Sequence, residues 1–297
     1  MQKVKGNDTR QRHGIVYTAV AFLAWGVLPI YWKALGEVPA IEILAHRIVW
    51  SFVFIAVVLT IQKRISIKEL LSDKRTRKSL FLMSGLIGLN WFTYVYAVNS
   101  ERIVEASMGY YINPILSVIL GVVILKEKLN LLQVLAFLLA CAGVLYLTVD
   151  YGRFPWISIV LAGAFGLYGL LKKTTNVDPM SGLMVETMLL APIALFVIFY
   201  QALAGRGALF GLALRHDFLL IGAGVVTTMP LYWFAQGAKR IRLASVGFLQ
   251  YLAPSLMLLI GVFVYREIFT TAHLISFGLV WCGLILYTVS LIRGSEA

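Results

Sequence analysis

Residues 101–114 are Glu-Arg-Ile-Val-Glu-Ala-Ser-Met-Gly-Tyr-Tyr-Ile-Asn-Pro, and residues 239–248 are Lys-Arg-Ile-Arg-Leu-Ala-Ser-Val-Gly-Phe. Each stretch leads into an apolar run that contains a proline and ends at a basic residue followed by glutamate. These closing pairs are Lys126-Glu127 and Arg266-Glu267, which suit anchoring of a helix turn. The chain therefore repeats itself after about 140 residues. In a chain this apolar, an internal repeat is typical of a transporter.

The composition indicates which medium surrounds the folded chain. Hydrophobic residues make up 60% of the 297 residues and charged residues only 13%, whereas soluble domains carry about 25% charged residues. We therefore predict an integral membrane protein whose surroundings are a lipid bilayer. The net charge is +12, but the basic residues lie in short loops between apolar runs, so we expect orientation signals and no nucleic-acid partner. Cys141 and Cys282 lie within apolar runs, and we predict no disulfide, metal site or cofactor.

Ten apolar windows have the length of about 20 residues that crosses a bilayer. They predict an all-α polytopic membrane protein with ten transmembrane helices. The predicted spans are 14–35, 39–61, 79–98, 103–125, 130–149, 155–173, 179–203, 217–237, 243–264 and 270–292.

The distribution of Lys and Arg predicts the orientation. Nineteen of these residues lie in the termini and the loops on their side, including Lys172 and Lys173, and five lie in the alternate loops. Cytoplasmic loops carry the excess of Lys and Arg. We therefore expect the tails 1–13 and 293–297 to be cytoplasmic.

The repeat extends over both halves of the chain. At an offset of 140 the matching positions include Gly26 and Gly166, Pro114 and Pro254, and Gly143 and Gly283. We therefore predict two five-helix units, 14–149 and 155–292. Because five is odd, the second unit enters the membrane from the opposite side, which is the inverted repeat of many secondary transporters. A duplication kept only for packing is the alternative.

Ionisable residues within the spans are candidates for function, because a charge at mid-bilayer costs about 2.5–3.5 kcal/mol. We interpret Glu105, Glu186 and His46 as candidates for proton coupling. Arg47 and His46 would meet a carboxylate on the substrate. The alternative is an ion pair, such as Glu42 with Arg47, that only holds helices together.

Prolines within spans free a backbone carbonyl one turn earlier and predict helix kinks. The predicted kink positions are Pro29, Pro114, Pro230 and Pro254. Aromatic and amide side chains cluster along the same spans, and aromatic faces suit organic ligands. The predicted substrate-binding residues are Trp25, His46, Arg47, Asn90, Trp91, Tyr94, Tyr110, Asn113, Tyr168, Gln250 and Tyr251. We give Trp32 and Trp281 no special role, since interfacial belts also contain tryptophan.

Several motifs together carry a family resemblance. They are Trp25-Gly26-x-x-Pro29-x-Tyr31-x-Lys33, Glu42-Ile-Leu-Ala-His46-Arg47, Asn90-Trp91-x-x-Tyr94, Glu105-Ala-Ser-x-Gly109-Tyr110-x-Ile112-Asn113-Pro114 and Glu186-Thr187. From about residue 14 to 292, the chain resembles the RarD branch, of the chloramphenicol-sensitivity type, of the EamA-type drug/metabolite transporter superfamily. The resemblance implies a bacterial inner-membrane protein with a central cavity between its halves and an exporter direction.

The sequence thus predicts a secondary transporter that moves a small organic solute, drug-like or amino-acid-like, by alternating access, with proton coupling as a hypothesis. Three alternatives stay open: a solute-binding sensor or facilitator without ion coupling, an ion channel, and a membrane-embedded enzyme, which no catalytic motif supports. The spacings Ala136-x-x-x-Ala140 and Gly278-x-x-x-Cys282 fit close helix contact. They leave a homodimer seam open beside packing within the chain.

Overall fold

The computed structural model describes residues 2–63, 67–266 and 270–295, with side chains for 9–63, 70–266 and 270–291. Within these ranges the regular structure is helical. The helices are α1 (Gln2–Lys33), α2 (Ala40–Ile61), α3 (Ile67–Ser72), α4 (Lys74–Asn99), α5 (Ile103–Val123), α6 (Leu131–Tyr151), α7 (Trp156–Thr174), α8 (Pro179–Leu203), α9 (Leu214–Ala238), α10 (Leu243–Gln250), α11 (Leu252–Phe263) and α12 (Thr271–Ser295).

Ten segments of the described chain are long and apolar enough to cross a bilayer, and their ends lie within five residues of the predicted ones. The prediction of ten transmembrane helices is confirmed, and the chain is a multi-pass membrane protein. The fourth helix, α4, begins earlier than predicted because Asp73 caps it, accepting a 2.8 Å hydrogen bond from the Thr76 amide. Hydrogen bonding from Thr76 also holds the pKa of Asp73 below its usual value.

One span is interrupted. The ninth span consists of α10 and α11, which meet at Tyr251, three residues before Pro254. The other three prolines predicted to kink a helix, Pro29, Pro114 and Pro230, lie within the continuous helices α1, α5 and α9.

Helices α6 and α12 pack through two matching glycine contacts. A Cβ atom added to Gly143 would lie 2.7 Å from the Ser276 carbonyl oxygen, and one added to Gly283 would lie 2.8 Å from the Ala136 carbonyl oxygen. Each residue of the first contact lies 140 positions from its counterpart in the second. Only glycine allows the two backbones to approach so closely.

A second matching pair of contacts lies nearer the centre of the bundle. A Cβ atom on Gly26 of α1 would lie 2.9 Å from the Leu256 side chain, and one on Gly166 of α7 would lie 3.1 Å from the Leu116 side chain. The same shift of 140 residues relates the two contacts. Spans of the first half therefore pack against spans of the second in a reciprocal way.

The two ends of the bundle can be told apart by their contacts. Gly237, near the end of α9, packs against Gly14 and Thr18 near the start of α1. We call this end, where the first span begins, the terminal side. At the opposite end, the distal side, Glu42 near the start of α2 accepts a hydrogen bond from the Ala208 amide, which follows α8.

Candidate functional site

Arg47 of α2 is surrounded by side chains from other helices. Its guanidinium carbon lies 4.8 Å from the ring centre of Trp32 on α1 and 5.1 Å from that of Trp91 on α4. Its Nε donates a 3.1 Å hydrogen bond to the Thr227 hydroxyl of α9. Two aromatic faces and one hydroxyl therefore hold this cation, which stays charged because arginine is not deprotonated in proteins.

Two tyrosines complete this set of residues. Tyr94 of α4 and Tyr110 of α5 both interact electrostatically with Arg47. Tyr110 is 40% exposed, whereas the Arg47 side chain is largely enclosed by the neighbouring helices. We call these side chains the Arg47 group: Trp32, Arg47, Trp91, Tyr94, Tyr110 and Thr227.

The Arg47 group contains a cation with no carboxylate beside it. Among the described side chains, the ion pairs within 4.0 Å do not include Arg47. A desolvated guanidinium gains much from a planar anion, because its donors match a carboxylate in pairs. The group is therefore suited to the anionic end of a small organic molecule.

Five aromatic rings from α1, α7 and α9 pack together nearby. The rings of this aromatic cluster belong to Phe22, Trp25, Phe165, Tyr168 and Phe234. Neighbouring ring centres are 5.1–6.3 Å apart, and the Tyr168 and Phe234 rings are stacked at 11°. Distances in this range are favourable for aromatic pairs. The cluster therefore fills the space between the three helices.

The aromatic cluster lies on the terminal side of the Arg47 group. Trp25 precedes Trp32 by seven residues on α1, and Phe234 follows Thr227 by seven residues on α9, which runs toward the terminal side. Seven residues of helix span about 10 Å. The aromatic cluster thus lies between the Arg47 group and the terminal end of the bundle, where α1, α7 and α9 meet.

Glu186 of α8 is buried in a group of three polar side chains. Lys172 Nζ lies 2.7 Å from one carboxylate oxygen, and the Tyr168 hydroxyl donates a 2.9 Å hydrogen bond to the other. All three side chains are at most 3% exposed. We call Tyr168, Lys172 and Glu186 the Glu186 triad.

A small cleft of about 10 Å³, room for about one water molecule, borders the Glu186 triad. Lys172, Asp178, Gly182 and Lys239 contribute to its wall. Burial lowers the pKa of Lys239, which follows α9 on the terminal side. The triad therefore lies next to a small cleft with charged side chains in its wall, at the terminal end of the bundle.

Three other glutamates accept hydrogen bonds from backbone amides of the opposite half. The pairs are Glu42 with the Ala208 amide at 2.6 Å, Glu105 with Ile157 at 2.8 Å, and Glu127 with Leu243 at 2.7 Å and Ala244 at 2.9 Å. Glu105 also forms a 2.6 Å ion pair with Arg102. These carboxylates anchor backbone, as expected for Glu127, whereas Glu186 is bonded to the side chains of Tyr168 and Lys172. Glu267, the predicted counterpart of Glu127, lies outside the described residues.

His46 lies apart from the Arg47 group. The ring is 1% exposed, and its Nε2 is 3.8 Å from the Glu42 carboxylate. Asp217, at the start of α9, is an electrostatic neighbour. His46 and Arg47 are adjacent in sequence and so point about 100° apart around α2, which separates the two candidates.

The remaining predicted site residues make contacts between helices. The Asn113 side chain is 9% exposed, and its oxygen has no hydrogen-bond partner among the described groups. The other three donate to the Leu161 carbonyl (Asn90, 2.9 Å), the Ser117 hydroxyl (Gln250, 3.0 Å) and the Tyr111 carbonyl (Tyr251, 3.3 Å). Of the predicted substrate-binding residues, the structure thus brings Arg47, Trp91, Tyr94 and Tyr110 together and places Trp25 and Tyr168 in the aromatic cluster.

Comparison with known proteins identifies the family. The model of the EamA-like transporter family matches residues 12–149. An uncharacterized transporter of Bacillus subtilis, YojE, is 47% identical over 291 residues, covering 96% of this chain and 97% of its own. Protein RarD of Escherichia coli is 37% identical over 287 residues, covering 96% of this chain and 97% of its own. The chain belongs to the RarD branch of the EamA-like transporter family.

A more distant relative agrees with this EamA-like membership. The chloramphenicol-sensitive protein RarD of Pseudomonas aeruginosa is 28% identical, covering 92% of each chain. One solved structure is 18% identical with a TM-score of 0.72, covering 94% of this chain and 98% of its own. At that identity it shows a shared fold alone.

Sequence reasoning missed three residues of this EamA-like chain, namely Lys172, Trp32 and Thr227, whose hydroxyl on α9 no motif singled out. Lys172 is not the loop cation that was predicted, because it lies in the last turn of α7 and is buried against Glu186. Its spacing of four from Tyr168 would have placed both on one helix face. Trp32 is part of the Arg47 group, and its spacing of seven from Trp25 is the corresponding signal on α1.

Proposed function

We propose that this RarD-branch protein is a secondary transporter that binds the carboxylate of a small organic solute at the Arg47 group. The observation that carries the proposal is a cation held between two tryptophan rings, with no carboxylate partner among the described side chains. The rings would cover an apolar or planar part of the solute, and the guanidinium would select its charge.

Alternating access is supported by how the two halves pack. The reciprocal glycine contacts between α6 and α12, and between the central spans, support two inverted five-helix repeats with boundaries at 14–149 and 155–292. In such transporters the substrate site lies between the repeats, and one part moves against the other. The aromatic cluster would close the terminal side in the conformation described here.

The charge distribution supports an inner-membrane protein with cytoplasmic termini. The terminal side would then be the cytoplasmic side, and the Arg47 group would be closed from the cytoplasm. We further propose that Glu186 carries a coupling proton, because side chains hold it and side chains can exchange partners. A proton gradient would then drive export of the solute.

A direct test begins with solute identification. Purified protein is screened by thermal shift against carboxylates, each paired with its uncharged amide, and compounds that bind are assayed for flux in liposomes with and without a pH gradient. We expect carboxylates to stabilise the protein and their amides to fail. The proposal of transport is wrong if no candidate is moved under either condition, and binding without flux would instead identify a sensor.

A matched pair of variants assigns the binding to the Arg47 group. Arg47→Met should abolish binding of a carboxylate identified in the screen, whereas Arg102→Met, which removes an arginine paired with Glu105, should leave its dissociation constant unchanged. Equal loss of affinity in both variants would show that overall charge or folding, and not the Arg47 group, explains the binding.

A further inference from the structure

Tyr168 belongs both to the Glu186 triad and to the aromatic cluster. Its hydroxyl donates to Glu186, and its ring stacks on Phe234 at a centre distance of 6.3 Å. Phe234 in turn contacts Trp25 at 5.8 Å. The Tyr168 side chain therefore connects the buried Glu186 carboxylate directly to the aromatic cluster.

The cleft beside the Glu186 triad offers Lys172 an alternative counter-ion. The cleft is lined by Lys172 itself and by Asp178, whose carboxylate supplies a negative charge. Gly182 carries no side chain at this wall, and a Cβ added there would already be in van der Waals contact with Lys172 Nζ at 3.6 Å and with the nearer Glu186 oxygen at 3.7 Å. A buried lysine that loses its counter-ion is costly, so it moves toward another charge or water.

We propose that Lys172 and Tyr168 are the positioning residues that link the protonation of Glu186 to the aromatic cluster. A proton from water binds Glu186 and leaves it as a neutral carboxylic acid. Lys172 keeps its own charge and turns toward Asp178 in the cleft. The bond from Tyr168, strongest to a charged acceptor, weakens, and the Tyr168 ring leaves Phe234. This inference rests on the proposed role of Glu186 as the proton carrier.

The charged groups around Glu186 are consistent with a switch of this kind. Glu186 contacts Tyr168 and Lys172 on α7. The wall of the cleft also contains Asp178, which precedes α8, and Lys239, which follows α9. The neighbouring helices α2, α4 and α9 also pack on α8, and the charged residues of α9, at positions 215–217, lie in its first turn at the distal side. The charged residues of α2 lie in its first two turns, at the distal side, and those of α4 lie in its first two turns, at residues 74–78. Lys173 instead donates to the backbone carbonyl of Ile241.

The test needs no solute. The full chain is labelled with 5-fluorotryptophan, and its fluorine spectrum is followed between about pH 5 and pH 9, a range that brackets physiological switching. The Trp25 signal is assigned with Trp25→Phe. Infrared difference spectra over the same range report the protonated carboxyl band, which belongs to Glu186 if Glu186→Gln removes it. We expect the band and the Trp25 signal to change with one midpoint.

Three variants separate the steps of the proposal. Tyr168→Phe should retain the Glu186 band while the Trp25 signal no longer follows pH. Lys172→Gln should move the common midpoint upward by about one pH unit or more, since a neighbouring cation no longer favours the carboxylate, and Lys172→Arg should restore it. The controls are Tyr287→Phe, which removes another buried hydroxyl bonded to Ser245, and Lys173→Gln; both should behave as the unmodified chain does.

Each outcome of these experiments supports or overturns one step of the proposal. A Trp25 signal that still follows the carboxyl band in Tyr168→Phe overturns the role of Tyr168, and an unmoved midpoint in Lys172→Gln overturns that of Lys172. A band that survives in Glu186→Gln removes the basis of the inference. If the spectroscopic link holds but no solute is transported, the proposed function fails and the coupling between Glu186 and the cluster stands.

Discussion

The glutamates that make contacts between helices in this protein differ in what holds them. Glu42, Glu105 and Glu127 accept hydrogen bonds from backbone amides, so each supplies an acceptor that a helix end or loop would otherwise lack. Glu186 is bonded to Lys172 and Tyr168, whose side chains can rotate. Chemical type alone did not distinguish them, and Glu105 and Glu186 were equal candidates for proton coupling until their partners were known.

We predict that Glu105 is needed for stability. Glu105→Ala leaves Arg102 and the Ile157 amide without their acceptor, which should lower the free energy of unfolding by about 1–3 kcal/mol, the cost of leaving a buried donor unsatisfied. Thermal unfolding in detergent measures the loss. Glu37→Ala, which removes an exposed carboxylate 3.8 Å from His216, is the control and should cost less than about 1 kcal/mol. A pH-dependent flux that disappears in the still-folded Glu105→Gln variant would instead make Glu105 a proton carrier.

The shape of the arginine side chain should matter as well as its charge. Arg47→Lys keeps the charge but loses the planar face that lies between Trp32 and Trp91. We expect the dissociation constant of a bound carboxylate to rise by about tenfold, which corresponds to about 1.4 kcal/mol. Isothermal titration calorimetry measures the change. Unchanged affinity in Arg47→Lys would mean that the two tryptophan rings do not orient the cation for binding.

At the scale of helices, apolar length alone predicted ten spans. A lipid-facing surface must be apolar and a spanning helix must be about 20 residues long, so the boundaries follow from composition. The faces are harder to predict, because a helix apolar all round does not show which side meets protein. Lys172 and Trp32 were misjudged for this reason: both lie near the ends of spans, where loop cations and interfacial tryptophans are common.

The contact between α6 and α12 makes a prediction at this scale. Gly143→Ala would bring a Cβ within 2.7 Å of the Ser276 carbonyl, and such overpacking should cost about 1–3 kcal/mol of unfolding free energy. Gly278→Ala on α12 is the matched control, since its added Cβ meets no atom within 4 Å. Thermal unfolding of both variants measures the difference. Equal stability would show that α6 and α12 separate readily.

The whole molecule has a predicted orientation in the membrane. The excess of Lys and Arg on the terminal side should keep both termini in the cytoplasm. A fluorescent protein fused after residue 297 should therefore be bright, and alkaline phosphatase fused at the same place should be inactive. The reverse pattern would mean that both termini lie outside the cytoplasm and that the aromatic cluster closes the Arg47 group from the outer side of the membrane.

The bonds of Glu42, Glu105 and Glu127 also bear on how the chain is made. The accepting carboxylates are all in the first half of the chain, whereas the donating amides belong to Ile157, Ala208 and Leu243 in the second half. The ribosome delivers the first five spans to the membrane before any of these donors exists. Glu105 can pair with Arg102 at once, but Glu42 and Glu127 must wait, neutral or hydrated, until later spans supply their amides. Assembly of the first half is completed only when the ninth span inserts, so a truncated chain should be a ready substrate for membrane quality control.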